Sequence, residues 1–227
     1  MPINYRPATA ADVTAIARVG SAAFDPVTDP MMRRIFPQHL QQPGVDAQAK
    51  WRAWRKTCRL QDDPNSIIMV AVDEELDEVV GYAWWVAPPK PDQEPFVAPK
   101  EPKFAGVDPE ARGEALVAIE SAIEFIFGKS REHYELSILA VHPQHGRKGI
   151  GKNLVQWGLD RARSDKKDAY LIATPMGKPL YERLGFVAIG DVPFLGINFT
   201  SMIVKNNPHT RLEDGRIVHL NEAEAAA

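Results

Sequence analysis

One stretch constrains the fold of this chain more than any other: Glu135-Leu-Ser-Ile-Leu-Ala-Val-His-Pro-Gln-His-Gly-Arg-Lys-Gly-Ile-Gly-Lys-Asn-Leu154. The apolar run Leu136 to Val141 has strand character. Pro143 then turns the chain into a segment holding Gly146, Gly149 and Gly151. Beyond it, Ile150, Leu154, Trp157, Gly158 and Ala162 recur at helical spacing. The predicted order is strand, glycine-rich turn, helix. A helix start presents N–H groups without internal acceptors and the positive end of the macrodipole, so it attracts anions. Glycine removes the Cβ atoms that would hold a phosphate away from those amides. Arg147, Lys148 and Lys152 add formal charge at the same place. The local chemistry is that of a phosphate or pyrophosphate cradle, or of a solvated basic turn that merely opens a helix.

Two phosphate motifs fail here. The dinucleotide fingerprint needs a third glycine, but Gly149-Ile-Gly151 is followed by Asn153 and Leu154. The Walker pattern needs Ser or Thr after Gly-Lys, and Asn153 stands there. What remains resembles the acetyl-CoA loop of the GNAT N-acetyltransferase superfamily, [QR]-x-x-G-x-[GA]. It reads here as Gly146-Arg-Lys-Gly149-Ile-Gly151, with Gly146 in place of the usual Gln or Arg. Further on, Thr174-Pro-Met-Gly-Lys-Pro-Leu-Tyr181-Glu-Arg-Leu-Gly-Phe186 resembles the family's closing block, L-Y-x-x-L-G-F. The resemblance spans residues 3–204 and is sharp over 134–190.

Composition bounds the remaining possibilities. At 227 residues the chain suits one domain with insertions. A net charge of -3 gives no electrostatic case for nucleic-acid binding. The single cysteine, Cys58, excludes an intrachain disulfide and fits a reducing compartment, so the expected location is cytoplasmic. The N-terminus lacks a signal-type apolar region, and no apolar run is long enough to span a membrane.

In chain order, Ile3 to Arg6 reads as a strand and Thr9 as a helix cap, with Val13, Ile16, Ala17 and Val19 on one helical face. Met31 to Phe36 and Asp46 to Leu60 give two further helices. Ile67–Val72 and Val79–Val86 read as a hairpin around an acidic turn. Residues 88–107 hold six prolines, which excludes a helix or central strand; they form a lid, a channel wall or a surface insertion. Asp108-Pro109-Glu110 opens a helix, and Lys129 to His133 link it to the central strand. Ala169–Ala173, a short helix from Lys178 to Leu184, and strands at Phe186–Ile189 and Ile197–Val204 follow. The order β-α-α-β-β-α-β-α-β-α-β-β predicts an α/β (α+β) mixed sheet flanked by helices. The expected domain covers 1–204, and residues 205–227 form a loosely docked or disordered tail.

The GNAT resemblance implies a mostly antiparallel sheet with one splayed parallel pair, and acetyl-CoA as co-substrate. It implies that backbone groups at Leu139, Ala140 and Val141 bind the pantetheine arm. The amides of Gly146, Arg147, Lys148, Gly149, Ile150, Gly151 and Lys152 would take the pyrophosphate. Thr174 would contact the cofactor or cap the following helix. Tyr181 matches the family's general acid, which protonates the departing thiolate. Glu135 is in register with the glutamate base of the histone-acetylating branch, and strand alternation groups it with Ser137 and Leu139. His142 and His133 are runners-up for the base, and water chains alone are another option. Phe24, Met32, Phe36, Trp51 and Trp54 either pack the core or shape the acceptor pocket. The implied activity is direct acetyl transfer to a primary amine, of a small molecule or of protein lysines or N-termini. A catalytically silent CoA-binding module is the alternative from another class. The sequence names neither the acceptor nor an oligomeric state.

Overall fold

The computed structural model describes residues 2–94 and 96–220. Strands β1 (Ile3–Pro7), β2 (Ser66–Asp73), β3 (Glu78–Val86), β4 (His133–Val141), β5 (Asp168–Ala173), β6 (Val187–Phe194) and β7 (Ile197–Val204) build one seven-stranded sheet. Its order is β1-β2-β3-β4-β5-β7-β6. Only β4 and β5 run parallel; every other neighbouring pair is antiparallel. Helices α1 (Val13–Ala23), α2 (Pro30–Ile35), α3 (Ala47–Asp62), α4 (Pro109–Phe127), α5 (Ile150–Ser164) and α6 (Lys178–Arg183) surround it. This is the mixed architecture expected from the element order.

The helix starts follow from short acidic caps. Asp29, Asp46 and Asp108 accept hydrogen bonds from the amides of Met32 (2.9 Å), Ala49 (2.8 Å) and Glu110 (2.9 Å). Near the N-terminus, Asp12 accepts from the Thr9 amide at 2.7 Å and from two guanidinium nitrogens of Arg6. The Arg6 hydrogen bond, the largest influence, holds the Asp12 carboxyl down at about 2.

Alternation on β3 sends two adjacent tryptophans into opposite layers. Trp85 packs with Leu154, Val155 and Leu159 of α5, whereas Trp84 packs with Ile16 and Val19 of α1. Trp85 lies so close under α5 that a Cβ on Gly158 would stand 2.1 Å from its ring. Gly158→Ala is therefore expected to destabilise the fold by about 1–3 kcal/mol through overpacking. A urea titration would show this as a lower midpoint at unchanged slope; an unshifted midpoint would mean that the indole has room to move.

Four expectations change. The central strand begins at His133, so that residue, assigned to the link, joins the sheet. Strand β6 runs on to Phe194, past Ile189, because it pairs along the whole of β7. On β4, Trp84 pairs with Ile138 and Trp85 with Leu136, which leaves Ser137 as a bulge. The bulge inverts the alternation: Leu139 and Val141 pack toward α5, and Ile138 and Ala140 toward α1. Glu135 and Leu139 therefore do not share a face. Lastly, within the expected tail, β8 (Thr210–Glu213) and β9 (Arg216–His219) form a hairpin. Ile217 packs in the cluster of Phe127 and Tyr170, and the Arg216 guanidinium lies 4.3 Å from the Phe125 ring centroid. The remaining tail residues, 221–227, lie outside the described residues.

Candidate active site

The parallel pairing of β4 and β5 runs from His133–Asp168 to Leu136–Leu171 and stops there. It stops at the Ser137 bulge, after which β4 stays with β3 and leaves β5. The His142 amide donates to the Val80 carbonyl at 2.8 Å. Antiparallel alternation then commits the backbone of Ala140 to β3 and turns that of Leu139 and Val141 toward the opening. Of the three residues expected to bind pantetheine, Ala140 is thus removed as a backbone partner, and its side chain is buried against α1.

At the mouth of this opening α5 begins. Gly149 caps it at φ +80°, a left-handed conformation that suits glycine. A Cβ there would meet nothing within 4 Å, so that side of the loop faces open space. Helix geometry leaves the amides of Ile150, Gly151 and Lys152 without a preceding turn to bond, and the first such bond, from Asn153 to Gly149, is 3.0 Å. Arg147 also has positive φ, at 61°. Gly146 departs from expectation: its amide closes the preceding turn onto the Pro143 carbonyl at 3.1 Å. The cradle therefore starts after Gly146. Its open side, glycine cap and converging amides fit a diphosphate.

Helix α6 closes the other side. Leu180 Cδ2 would lie 3.7 Å from a Cβ on Gly151, so α6 abuts the first turn of α5. The next residue, Tyr181, is buried and meets the Phe186 ring edge-on at 5.9 Å. Burial alone pushes its phenol well above the ordinary value, so it stays protonated at neutral pH. Thr174 acts as a cap: its hydroxyl accepts from the Gly177 amide at 3.0 Å, and its carbonyl accepts from Lys178.

Glu135 lies next to the bulge, on the sheet face opposite α5. Desolvation raises its carboxyl pKa, partly offset by Arg131, Arg59 and a hydrogen bond from Ser137. The runners-up are worse placed. His133 is buried and stacked on Phe127 at 3.7 Å, and burial with help from Arg131 pulls it down to about 3. His142 sits at the far end of β4, where its charged neighbours are His145, Arg18 and Glu78.

The five candidate pocket residues do not converge on this opening. Met32, Phe36 and Trp51 are core residues between α2, α3, α4 and the β6–β7 pair. Phe24 packs partly against the same cluster, and Trp54 lies edge-on to Phe104 at 5.9 Å. Residues 96–107 are strapped across α3 by these rings and by Glu101, which accepts from Trp51 Nε1 at 2.7 Å and from Arg112 at 3.2 Å. What the aromatic pattern concealed is a stripe of cations on α3: Arg52, Arg55, Lys56 and Arg59. Their spacing is that of one helical face, and they turn toward Trp84 and Tyr82 on the sheet.

Comparisons with known proteins bear on the family and the fold. The family model described as an acetyltransferase (GNAT) domain matches residues 109–206. An acetyltransferase of Stachybotrys chartarum is 31% identical over 198 residues, covering 83% of this chain and 82% of the relative. The chain belongs to the GNAT acetyltransferase family. Among solved structures, a Corynebacterium glutamicum protein described as histone acetyltransferase HPA2 and related acetyltransferase superposes with a TM-score of 0.60. It is 27% identical, with 91% of this chain and 97% of that one covered. A Brucella melitensis GNAT acetyltransferase in complex with acetyl-CoA gives a TM-score of 0.52 at 16% identity, with 98% and 97% covered. Among the described residues, no helix is long and apolar enough to cross a membrane.

Proposed function

We propose that this GNAT enzyme acetylates the primary amine of a small molecule, in one direct step. The observation that carries the reading is the opening between β4 and β5 at the Ser137 bulge, with the α5 start at its mouth and Tyr181 at its side. Acetyl-CoA supplies an activated thioester; the chain binds, orients and moves protons. The α5 amides hold the diphosphate, and the backbone groups of Leu139 and Val141 hold the arm as an added strand. Glu135 takes the proton from the attacking amine as the C–N bond forms. Tyr181 donates its proton to the sulfur as the C–S bond breaks. The docked segment 96–107 covers one side of α3 through Trp51, Trp54 and Arg112, which favours a compact acceptor over a folded protein surface.

A protein acceptor is the second reading, because the Corynebacterium relative carries a histone acetyltransferase description. Release of free CoA is expected with a panel of free amines and not with lysine-bearing peptides. Turnover confined to the peptides would overturn the small-molecule reading.

The raised Glu135 carboxyl sets a pH limb. A base must be deprotonated, so kcat/KM is expected to climb as pH rises through a value above the ordinary 4.5. Glu135→Gln should flatten that limb and lower kcat/KM on the order of 100-fold. A variant with the parental profile would remove Glu135 from proton transfer.

A further inference from the structure

Helix α3 buries positive charge that the protein does not neutralise. Lys56 is 1% exposed and Arg52 3%. Burying a charge without a partner costs several kcal/mol, so such groups are normally paired. Arg59 is paired with Asp63 at 2.6 Å, and Arg55 has Glu101 as its nearest balancing charge. Arg52 is supported by the buried Tyr82 hydroxyl and, at longer range, by Asp29 and Asp46, but among the described residues no acidic group faces Lys56. Desolvation, reinforced by Arg55, Arg52 and Arg59, pulls the Lys56 amine far below its ordinary value.

The surroundings are donors as well. The cationic groups of Lys56, Arg59 and Arg55 lie 4.1, 5.2 and 5.5 Å from the Trp84 ring centroid. The indole Nε1 of Trp84 is buried without a hydrogen-bond partner, whereas the Tyr82 hydroxyl is taken up by the Arg52 guanidinium. Buried donors left unmatched are rare in a finished structure. The Lys56 amine and the Trp84 indole, side by side with no acceptor between them, are complementary to an anion.

The position of this cluster connects it to catalysis. Trp84 pairs with Ile138 and Val86 with Glu135, so Trp84 stands two residues along the same sheet face from the residue opposite the base. That separation is about 7 Å. We propose that the acceptor amine carries a carboxylate, which seats among Arg52, Arg55, Lys56 and Trp84 while its amino group faces Glu135. A monoanion suits the site better than a phosphate dianion, because Arg55 and Arg59 already have acidic partners. This inference rests on the acetyl-transfer reading for its amine and on the α3 cluster for its anion.

Two measurements separate those parts. Phenylalanine and phenethylamine, and leucine and isopentylamine, differ only in the carboxylate. The carboxylate-bearing member of each pair is expected to have at least tenfold higher kcat/KM in CoA release. Lys56→Met, which replaces a buried amine with an apolar chain of similar length, should abolish that preference and leave CoA affinity unchanged. Independently of turnover, N-acetylphenylalanine should raise Tm more than N-phenethylacetamide in the wild type, and equally in Lys56→Met. Trp84→Phe should reduce the difference without unfolding the protein. Equal rates within each pair, or a Tm response that Lys56→Met retains, would overturn the carboxylate seat while leaving acetyl transfer intact. A carboxylate-dependent Tm shift with no CoA release from any amine would support the seat and overturn the small-amine transfer reading.

Discussion

Tyr181→Phe is expected to lower kcat by about 100-fold or more while leaving the KM for acetyl-CoA within about twofold. The substitution removes one oxygen from a ring that stays packed against Phe186, so the fold has little reason to respond. Its consequence lies in the chemical step. A thiolate leaving into a closed site gains a full charge, and a phenol beside it lowers that cost by sharing or giving a proton. Burial serves this function, because a phenol pushed above its ordinary value remains protonated wherever the amine can be neutral. The neighbouring Leu180 ties Tyr181 to the α5 start, so the donor and the diphosphate cradle move as one unit. Single-turnover rates with saturating acetyl-CoA would isolate the step. A variant with parental kcat would place the proton donor elsewhere.

The strand–turn–helix unit was legible in the sequence because its physics is local. Glycines at 149 and 151, apolar spacing from Ile150 to Ala162, and Asp108-Pro109 at a helix start each act within a few residues. The Ser137 bulge was not legible. Nothing in Leu-Ser-Ile-Leu distinguishes a bulged strand from a regular one; the register comes from partners on β3 more than fifty residues away. One inserted residue inverts every side chain beyond it, which is why Leu139 left the face assigned to Glu135. The hairpin at 210–219 escaped for a related reason: its stability rests on Ile217 packing with Phe127 and Arg216 lying over Phe125 across the fold. The α3 cations differ from both. Arg52, Arg55, Lys56 and Arg59 carry the spacing of an inward face in plain sight. A search for apolar residues at that spacing passes over them, because cations are presumed to point to solvent.

Gly149→Glu is expected to abolish measurable CoA binding and, with it, turnover. Two effects combine at this position. Any side chain at φ +80° costs about 1–2 kcal/mol in backbone strain, and that cost falls on the folded protein whether or not CoA is present. The second effect is specific to the ligand. A Cβ here projects into open space rather than into the protein, so the glutamate chain meets no internal clash and the fold should survive. A carboxylate held about 4 Å from a phosphate charge near the protein surface is unfavourable by about 4 kcal/mol, close to a thousandfold in affinity. Gly149→Ala separates the two, since it carries the strain without the charge. It should lower stability yet bind CoA within about tenfold of the parent, as measured by calorimetric titration. Charge repulsion also falls with ionic strength, so high salt should restore part of the affinity lost by the glutamate variant and none of its stability. A glutamate variant that bound CoA normally would show that the diphosphate rests elsewhere, because no amide at the α5 start could hold it past that carboxylate.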